Sequence, residues 1–203
     1  MVSPFKVLIG WWIMKGKLIL VLGGARSGKS ELAENIASRL GGAVKYIATA
    51  TIQDPEMAER VKLHQGRRPA SWLTFEEPTN ILGVLKDGKQ GDVFLLDCAT
   101  LWLTNLLLAE NLPRCGAATA EKQEYILGQA QAAAETIHQG HHLIIVSSEV
   151  GLGLVPDYPL SRTFRDLAGK VNQLLASKAD QVYLTIAGLP LEIKSLAEQK
   201  WSD

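Results

Sequence analysis

Residues 17–30 read KLILVLGGARSGKS, and this stretch decides the fold. The run KLILVL is short, apolar and followed by two glycines, which predicts a strand buried on both faces. Leu32, Ile36 and Leu40 then recur four residues apart, so an amphipathic helix is expected directly after the glycine-rich turn. A buried strand, a tight turn and a helix in succession are typical of the first unit of an α/β sheet.

The same alternation continues along the chain. Further short apolar runs lie at residues 44–47, 93–96, 143–146 and 182–186. Helical periodicity separates them, most clearly over residues 126–137 and 164–175. Because buried strands that alternate with amphipathic helices form parallel sheets, we predict an α/β fold with a mostly parallel sheet and helices on both faces. No internal repeat or long linker interrupts the pattern, which indicates a single domain.

Composition limits the possible functions. The chain has 203 residues, and 21 Lys and Arg balance 21 Asp and Glu. This zero formal net charge argues against binding nucleic acid through bulk electrostatics. Two cysteines cannot form a disulfide framework, and the apolar octet at residues 7–14 is too short to span a bilayer. We therefore expect a cytoplasmic protein with no membrane span and no nucleic-acid partner.

The first 16 residues precede the first predicted strand. Their apolar octet, VLIGWWIM, lacks a small-residue cleavage site of the kind that follows a signal peptide. We expect residues 1–16 to be an N-terminal extension that is disordered or not native, with Met14 as the physiological start. The alternative is an extension that packs its tryptophans against the domain. The catalytic domain is then expected to cover residues 17–203.

Residues 23–30, GGARSGKS, match the pattern G-x-x-x-x-G-K-[ST] in full. Glycines let the backbone fold into a nest whose N–H groups point at phosphate oxygens, and the following helix adds its positive dipole end. The pattern predicts that Lys29 binds the β- and γ-phosphates and that the Ser30 hydroxyl is a ligand of Mg²⁺. The fold is therefore expected to be P-loop NTPase-like. The predicted phosphate-binding residues are Gly23, Gly24, Ala25, Arg26, Ser27, Gly28, Lys29 and Ser30.

Two further features lie at the ends of predicted strands. Asp97 follows the run VFLL, where a strand-tip carboxylate can hold Mg²⁺ beside the phosphate-binding loop. A helix N-cap is its alternative role. Residues 147–161 form an aperiodic stretch with several Gly and Pro, and a loop of this length beyond a parallel strand is often functional. The neighbouring Cys98 is expected to be a small apolar filler.

The segment HQGRRP at residues 64–69 contains the histidine of greatest interest. His64 lies among Arg60, Arg67 and Arg68, whose guanidinium groups are suited to bidentate phosphate binding. Glu76 follows shortly and could orient a ribose or an imidazole. From the residues alone, an exposed surface histidine remains the alternative. The other histidines lie at a predicted helix end and its exit loop, where a structural role is expected.

Several stretches occur in a characteristic order. They are GGARSGKS (23–30), YIATA (46–50), HQGRRP (64–69), RPASW (68–72), DCATLWLTNLL (97–107), EVGLGLVP (149–156) and RTFRDLAGKVNQ (162–173). Together they resemble the bifunctional adenosylcobinamide kinase / adenosylcobinamide-phosphate guanylyltransferase family of cobalamin synthesis. The resemblance covers roughly residues 17–194. The phosphate-binding pattern alone is generic, whereas its combination with the other stretches is specific.

The resemblance implies two activities: phosphorylation of adenosylcobinamide with ATP or GTP, and transfer of GMP from GTP to the product through a guanylylated histidine. The P-loop pattern and the strand-tip carboxylate predict Mg²⁺ as the cofactor, held by Ser30 and Asp97. The resemblance implies that His64 is that catalytic histidine and that the protein is a homotrimer. Beyond residues 23–30, the nucleotide contacts it implies are Ala48, Thr49, Ala50, Gln65, Gly66, Arg67, Arg68, Glu76 and Asp97. Ser148 stands where the family pattern has Asn, which puts the hydrogen bonding of that loop in doubt.

Two other functions are compatible with the same P-loop. A small-molecule kinase without guanylyltransferase activity would make His64 dispensable. A nucleotide-dependent switch would order residues 147–161 on binding the triphosphate and recruit a protein. Trp72 and Trp102 are expected to be packed in the domain rather than to contact the corrinoid.

Overall fold

The computed structural model describes residues 15–51, 55, 59, 61–62, 65–66 and 68–197. The strands are β1 (Leu18–Gly23), β2 (Val44–Ala48), β3 (Leu73–Glu76), β4 (Val93–Asp97), β5 (His142–Ser148), β6 (Gln181–Ile186) and β7 (Leu189–Glu192). The described helices are α1 (Lys29–Leu40), α2 (Ile81–Leu85), α3 (Ala99–Leu108), α4 (Thr119–Glu135) and α5 (Pro159–Lys178), and a 3₁₀ turn (Thr136–Gln139) follows α4. The elements confirm the predicted α/β fold.

The strands form one seven-stranded sheet in the order β3-β2-β4-β5-β1-β6-β7. All neighbours pair in parallel except β6 and β7, which are antiparallel. The outermost strands, β3 and β7, were not predicted. All four residues of β3 are exposed, and β7 contains Pro190 and is mostly exposed, so neither carries the apolar signal of a buried strand.

The two faces of the sheet are covered by different helices. Leu18, Leu20 and Leu22 of β1 belong to the larger core, which they share with α3, α4 and α5. Ile19 and Val21 point to the other face, where Ala33 and Ala37 of α1 pack. This alternation along one strand confirms the prediction that helices lie on both faces.

The two tryptophans that the structure describes are packed as expected. Trp102 of α3 is 1% exposed and lies in the larger core, and the half-buried Trp72 packs beside the smaller one. The indole Nε1 of Trp102 donates to the carbonyl of Thr79, 2.9 Å away, so its polar atom is satisfied. Within the described part of the chain, no helix is long and apolar enough to cross a membrane.

The first described residues, Lys15 and Gly16, contact the rest of the described structure. The N–H of Gly16 donates to the carbonyl of Ile137 at 3.3 Å, and a side chain at Gly16 would meet the backbone of His141. Lys15 also lies within 3.9 Å of the Asp180 carboxylate. These two residues, which the predicted extension included, therefore contact the domain. The rest of that extension, residues 1–14, lies outside the described residues.

A buried histidine lies at the amino edge of the sheet. His141 is fully buried, its ring meets Phe94 edge-on at 4.9 Å, and its Nε2 lies 3.1 Å from the Thr136 hydroxyl. Its Nδ1 has no hydrogen-bond partner among the described residues. Burial lowers the pKa of His141 below 6.5, because the imidazolium would lose its hydration. The prediction that this histidine is structural agrees with its position.

We expect His141 to make the protein less stable in mild acid. A histidine whose folded-state pKa is lowered stabilises the fold fully above about pH 6.5, and this stabilisation falls as the pH decreases through the window between the two pKa values. The free energy of unfolding, measured in urea between pH 7.5 and 5.5, should therefore decrease. His141→Leu should flatten this dependence, although His142, whose pKa burial also lowers, retains part of it. The control His138→Gln changes an exposed histidine and should leave the slope intact; an unchanged slope in His141→Leu would contradict the assignment.

Candidate nucleotide-binding site

The glycine-rich loop connects the end of β1 to the start of α1. Gly28 has φ 97° and precedes Lys29, the first residue of the helix. Such a positive φ favours glycine and turns the chain sharply into α1. The Lys29 ammonium folds back over the loop, where it donates to the Gly24 carbonyl at 2.6 Å. Gly24 faces open space, so a phosphate can approach the backbone at this point.

The underside of the loop is tied to β6. The Thr185 hydroxyl donates to the Leu22 carbonyl at 2.9 Å, and it lies 2.8 Å from the Ser27 hydroxyl. Because the Thr185 proton is used, Ser27 is the donor in that second bond. A side chain at Gly23 would meet both hydroxyls, so this position requires glycine. Ser27 thus faces the sheet, and any phosphate contact it makes comes from its N–H.

The turn between β6 and β7 supports the same loop. Ala187 and Gly188 both have positive φ, 52° and 81°, as in the two-residue hairpin turns that match strand twist. The N–H of Gly188 donates to the Ser27 carbonyl at 3.0 Å. The β6–β7 hairpin therefore supports the phosphate-binding loop through this hydrogen bond. The sequence analysis missed it, although the Ala-Gly pair between two short apolar runs is its signal.

Three predicted residues lie level at the carboxyl edge of the sheet. In the strand register, Ala48 of β2 is opposite Glu76 of β3 on one side and Asp97 of β4 on the other. Glu76 is exposed and Asp97 is partly buried. The Asp97 carboxylate accepts a hydrogen bond from the Tyr46 hydroxyl at 2.8 Å through Oδ2. The N-cap alternative is not used, since α3 begins after Cys98 without a side-chain cap.

The residues predicted to hold Mg²⁺ have suitable chemistry for it. Mg²⁺ prefers oxygen ligands, and the Ser30 hydroxyl and the Asp97 carboxylate provide them at the start of α1 and the end of β4. No cluster of three or more His, Cys, Asp or Glu in the described ranges could hold a metal unaided. A Mg²⁺ ion here would therefore need phosphate oxygens and water as its remaining ligands.

The predicted stretch Ala48–Ala50 is held by its middle residue. Thr49 is fully buried, and its hydroxyl donates to the Cys98 carbonyl at 2.8 Å and accepts from the Cys98 N–H at 2.9 Å. The hydroxyl of Thr49 is thereby occupied, so any nucleotide contact of this stretch would have to come from its backbone or from the alanines. Burial, and then the nearby Asp97 charge, raise the pKa of the Cys98 thiol to about 11, which fits the predicted role of an inert filler.

Helix α3 positions the surrounding loops through its polar side chains. Asn105 donates through Nδ2 to the carbonyls of Thr49, at 2.8 Å, and Pro78, at 3.0 Å. The Thr100 hydroxyl accepts from the N–H of Ser148 at 2.8 Å. The stretch DCATLWLTNLL therefore contains one candidate metal ligand, Asp97, and two side chains that hold the surrounding loops in place, Thr100 and Asn105. The sequence analysis did not assign these roles; polar residues on an otherwise apolar helix are the signal for them.

The long loop after β5 begins beside the phosphate-binding loop. It covers residues 149–158 rather than 147–161, because β5 continues to Ser148 and α5 starts at Pro159. The N–H of Glu149 donates to the Gly23 carbonyl at 3.0 Å. The backbone of Ser148 is held in place, because Asn172 donates to its carbonyl at 3.3 Å. The junction is therefore hydrogen-bonded even though Ser148 replaces the Asn of the family pattern. Further on, Leu152 and Leu154 are 86% and 96% exposed.

The arginine-rich segment is described only in part. His64, Arg60 and Arg67 lie outside the described residues. Gln65 and Gly66 are exposed, and the half-buried Arg68 places its guanidinium carbon 3.3 Å from the centroid of the Tyr46 ring. Arg68 is therefore separated from Asp97 by the side chain of Tyr46 alone.

A model of the family described as cobinamide kinase / cobinamide phosphate guanyltransferase matches residues 19–193. The chain belongs to this family. A bifunctional adenosylcobalamin biosynthesis protein, CobP of Pseudomonas aeruginosa, is 44% identical over 177 residues, which cover 86% of this chain and 96% of the relative. The CobU protein of Salmonella typhimurium, of the same description, is 40% identical over 87% of this chain and 99% of its own length.

Solved structures agree on the fold of this family member. An ATPase of a bacterial type III secretion system superposes with a TM-score of 0.57 at 11% identity, over 91% of this chain and 59% of that one. An ATP synthase subunit of Nanoarchaeum equitans, NeqB, superposes with a TM-score of 0.51 at 12% identity, over 92% of this chain and 53% of that one. These structures confirm the P-loop NTPase-like architecture.

We expect Lys29→Ala to weaken triphosphate binding at least about tenfold, because charge-assisted bonds to the phosphates are lost. Binding of a fluorescent GTP analogue measures this directly. The melting temperature should remain nearly unchanged, because the Lys29 ammonium donates to the Gly24 carbonyl within the loop rather than to a residue of the hydrophobic core. Lys170→Ala, at an exposed position of α5, is the matched control and should bind normally. Native affinity in Lys29→Ala would mean that this loop is not the triphosphate site.

Proposed function

We propose that this chain carries out both reactions of its family. It phosphorylates the hydroxyl of the aminopropanol arm of adenosylcobinamide with ATP or GTP. It then transfers GMP from GTP to that phosphate, which gives adenosyl-GDP-cobinamide and pyrophosphate. The observation that carries the proposal is the family match over residues 19–193, together with a complete P-loop at the carboxyl edge of the sheet.

The phosphoryl-transfer half relies on positioning and electrostatics. The N–H groups of residues 24–30 and the Lys29 ammonium would bind the β- and γ-phosphates. Ser30 and Asp97 would hold Mg²⁺, which when bound neutralises charge that develops on the phosphate oxygens. The β6–β7 hairpin and Thr185 keep the loop in place from behind, so the donors are oriented before the nucleotide arrives.

The guanylyl-transfer half needs a nucleophile at the α-phosphorus. Neutral imidazole, with a pKa of about 6.5, has a free lone pair near pH 7, whereas serine and lysine are mostly protonated there. An imidazole nitrogen of His64 attacks the α-phosphorus and pyrophosphate leaves with the electron pair. An oxygen of the adenosylcobinamide phosphate then attacks the same phosphorus, the P–N bond breaks, and the histidine is regenerated.

The proposed role of His64 is supported by the described residue Arg68, which follows it by four positions in the sequence. Arg68 itself stacks on Tyr46, whose hydroxyl bonds to Asp97. Arg60, Arg67 and Arg68 would stabilise the charge that develops on the α-phosphate and on pyrophosphate.

We expect a guanylylated enzyme after incubation with GTP labelled at the α-phosphate. The label should remain on the denatured chain in alkali and be lost in acid, as a P–N bond requires. His64→Ala should abolish labelling while it retains phosphorylation of adenosylcobinamide. His138→Ala, at an exposed position, is the control that should still be labelled. Label that persists in His64→Ala would refute the assignment, and unlabelled wild-type enzyme with kinase activity would support the kinase-only function.

A homotrimer in the cytoplasm is part of the proposal. A single chain exposes several large apolar side chains, among them Leu189 and Leu191 on the edge strand β7, and association of copies would cover such a surface. Light scattering during gel filtration should give about three times the 22.1 kDa of one chain. A mass close to that of one chain at micromolar concentration would contradict the trimer.

A further inference from the structure

Tyr46 connects the arginine-rich segment to the strand-tip carboxylate. We propose that Tyr46 is a positioning residue of the Mg²⁺–nucleotide site: its hydroxyl holds the Asp97 carboxylate, and Arg68 holds the Tyr46 ring. This inference rests on the proposed function, since it assumes that Asp97 serves a bound metal–nucleotide complex. It assigns a role to a residue that the sequence patterns treat as part of a buried strand.

The position of Tyr46 explains why a tyrosine is needed. In the register between β2 and β4, Tyr46 is opposite Leu95, two residues before Asp97. Two residues of a strand rise about 6.6 Å, a distance that a phenol can cover and a shorter hydroxyl side chain cannot. The hydroxyl reaches Oδ2 of Asp97 at 2.8 Å. The ring is 2% exposed and packs in the smaller core with Val21 and Ala33, so it has little freedom to turn away.

The hydrogen bond from Tyr46 determines the orientation of the Asp97 carboxylate. An aspartate at a strand tip can rotate about its side-chain bonds, and an unanchored carboxylate loses conformational entropy when it engages a metal. With Oδ2 held by Tyr46, Oδ1 is oriented before a ligand arrives, which lowers the cost of binding. The charged groups that act on the phenol are Asp97, Arg68 and Glu34.

Arg68 stacks on one face of the Tyr46 ring. The guanidinium carbon is 3.3 Å from the ring centroid, which is a close cation–π stack. Its Nε is buried and has no hydrogen-bond partner among the described residues, so stacking is the contact that the structure shows for this end of the side chain. The N–H of Arg68 donates to the Gln65 carbonyl at 3.2 Å. Arg68 and Asp97 are thereby connected through Tyr46.

The test measures how strongly nucleotide binding depends on Mg²⁺. The affinity of the full-length protein for a fluorescent GTP analogue is followed against free Mg²⁺ concentration, with EDTA as the metal-free limit. Tyr46→Phe should raise the Mg²⁺ concentration at the midpoint about tenfold, as expected for loss of a hydrogen bond to a charged group. Its affinity in EDTA should match that of the wild type, which also shows that the variant is folded. Arg68→Gln should shift the midpoint in the same direction.

The matched control is Tyr183→Phe. Tyr183 is a half-buried tyrosine of β6 whose hydroxyl accepts from Gln181 at 3.3 Å, so this variant removes a phenol hydroxyl away from Asp97. Its midpoint should equal that of the wild type. A second comparison uses the Asp97→Ala variant, in which Tyr46 has no carboxylate to hold. Adding Tyr46→Phe to this variant should leave its affinity for the analogue and its Mg²⁺ midpoint unchanged.

The outcomes separate this inference from the proposed function. If wild-type protein binds the analogue independently of Mg²⁺, the proposed metal–nucleotide site fails. If wild-type binding depends on Mg²⁺ and Tyr46→Phe keeps the wild-type midpoint, the positioning role alone is overturned. A shift that persists in Asp97→Ala would likewise overturn it, because the effect would not pass through that carboxylate. An unchanged midpoint in Arg68→Gln would remove Arg68 from the arrangement.

Discussion

The buried hydroxyl of Thr49 holds together the edge of the sheet on which the site depends. It bonds to both the N–H and the carbonyl of Cys98, at the junction of β4 and α3. Strand ends leave polar backbone groups without ladder partners, and each such group buried without a hydrogen bond costs about 1–3 kcal/mol. Thr49 satisfies two of them with one side chain and fixes the end of β2 against the residue that follows Asp97.

The rest of the site is built in the same way. Asn105 bonds to the carbonyls of Thr49 and Pro78, Thr100 holds Ser148, and Thr185 holds the glycine-rich loop through Leu22 and Ser27. Each contact runs from a side chain of a regular element to a loop or strand end. The loops that would meet the nucleotide are therefore supported by side chains of the regular elements, which orients them before a phosphate binds.

Much of this arrangement could be predicted from the sequence, for identifiable reasons. The buried strands were found because their apolar runs are continuous, and the phosphate-binding loop because its glycines and Lys29 are required by backbone geometry and charge. The edge strands β3 and β7 were not predicted, because most of their residues are exposed and they lack a continuous apolar run. The role of Tyr46 was not predicted, because an aromatic residue in an apolar run normally indicates a core position. A hydrogen bond from its hydroxyl to a residue of the neighbouring strand cannot be inferred from the local sequence pattern.

The role of His64 came from the family resemblance, since a lone histidine in a polar segment has no periodicity or spacing that distinguishes it. The described structure contributes the neighbouring Arg68 and its stack on Tyr46. It also shows why the motif residues have unequal roles: Ser27 and Thr49 face inward and support the site, whereas Gly24 and Glu76 are exposed at its surface.

The central claim is that one carboxyl edge of the sheet is the nucleotide site, formed by the loop after β1 and the junction after β4. Hydrogen–deuterium exchange of the full chain, with and without Mg²⁺ and a non-hydrolysable GTP analogue, tests it most directly. The account predicts slower exchange at the backbone amides of residues 24–30 when the nucleotide is present, because bound phosphates would occupy these donors. It also predicts slower exchange at residues 97–100, because the bound nucleotide would close this edge of the sheet to water. Unchanged exchange at residues 24–30, with protection at another part of the chain, would contradict it.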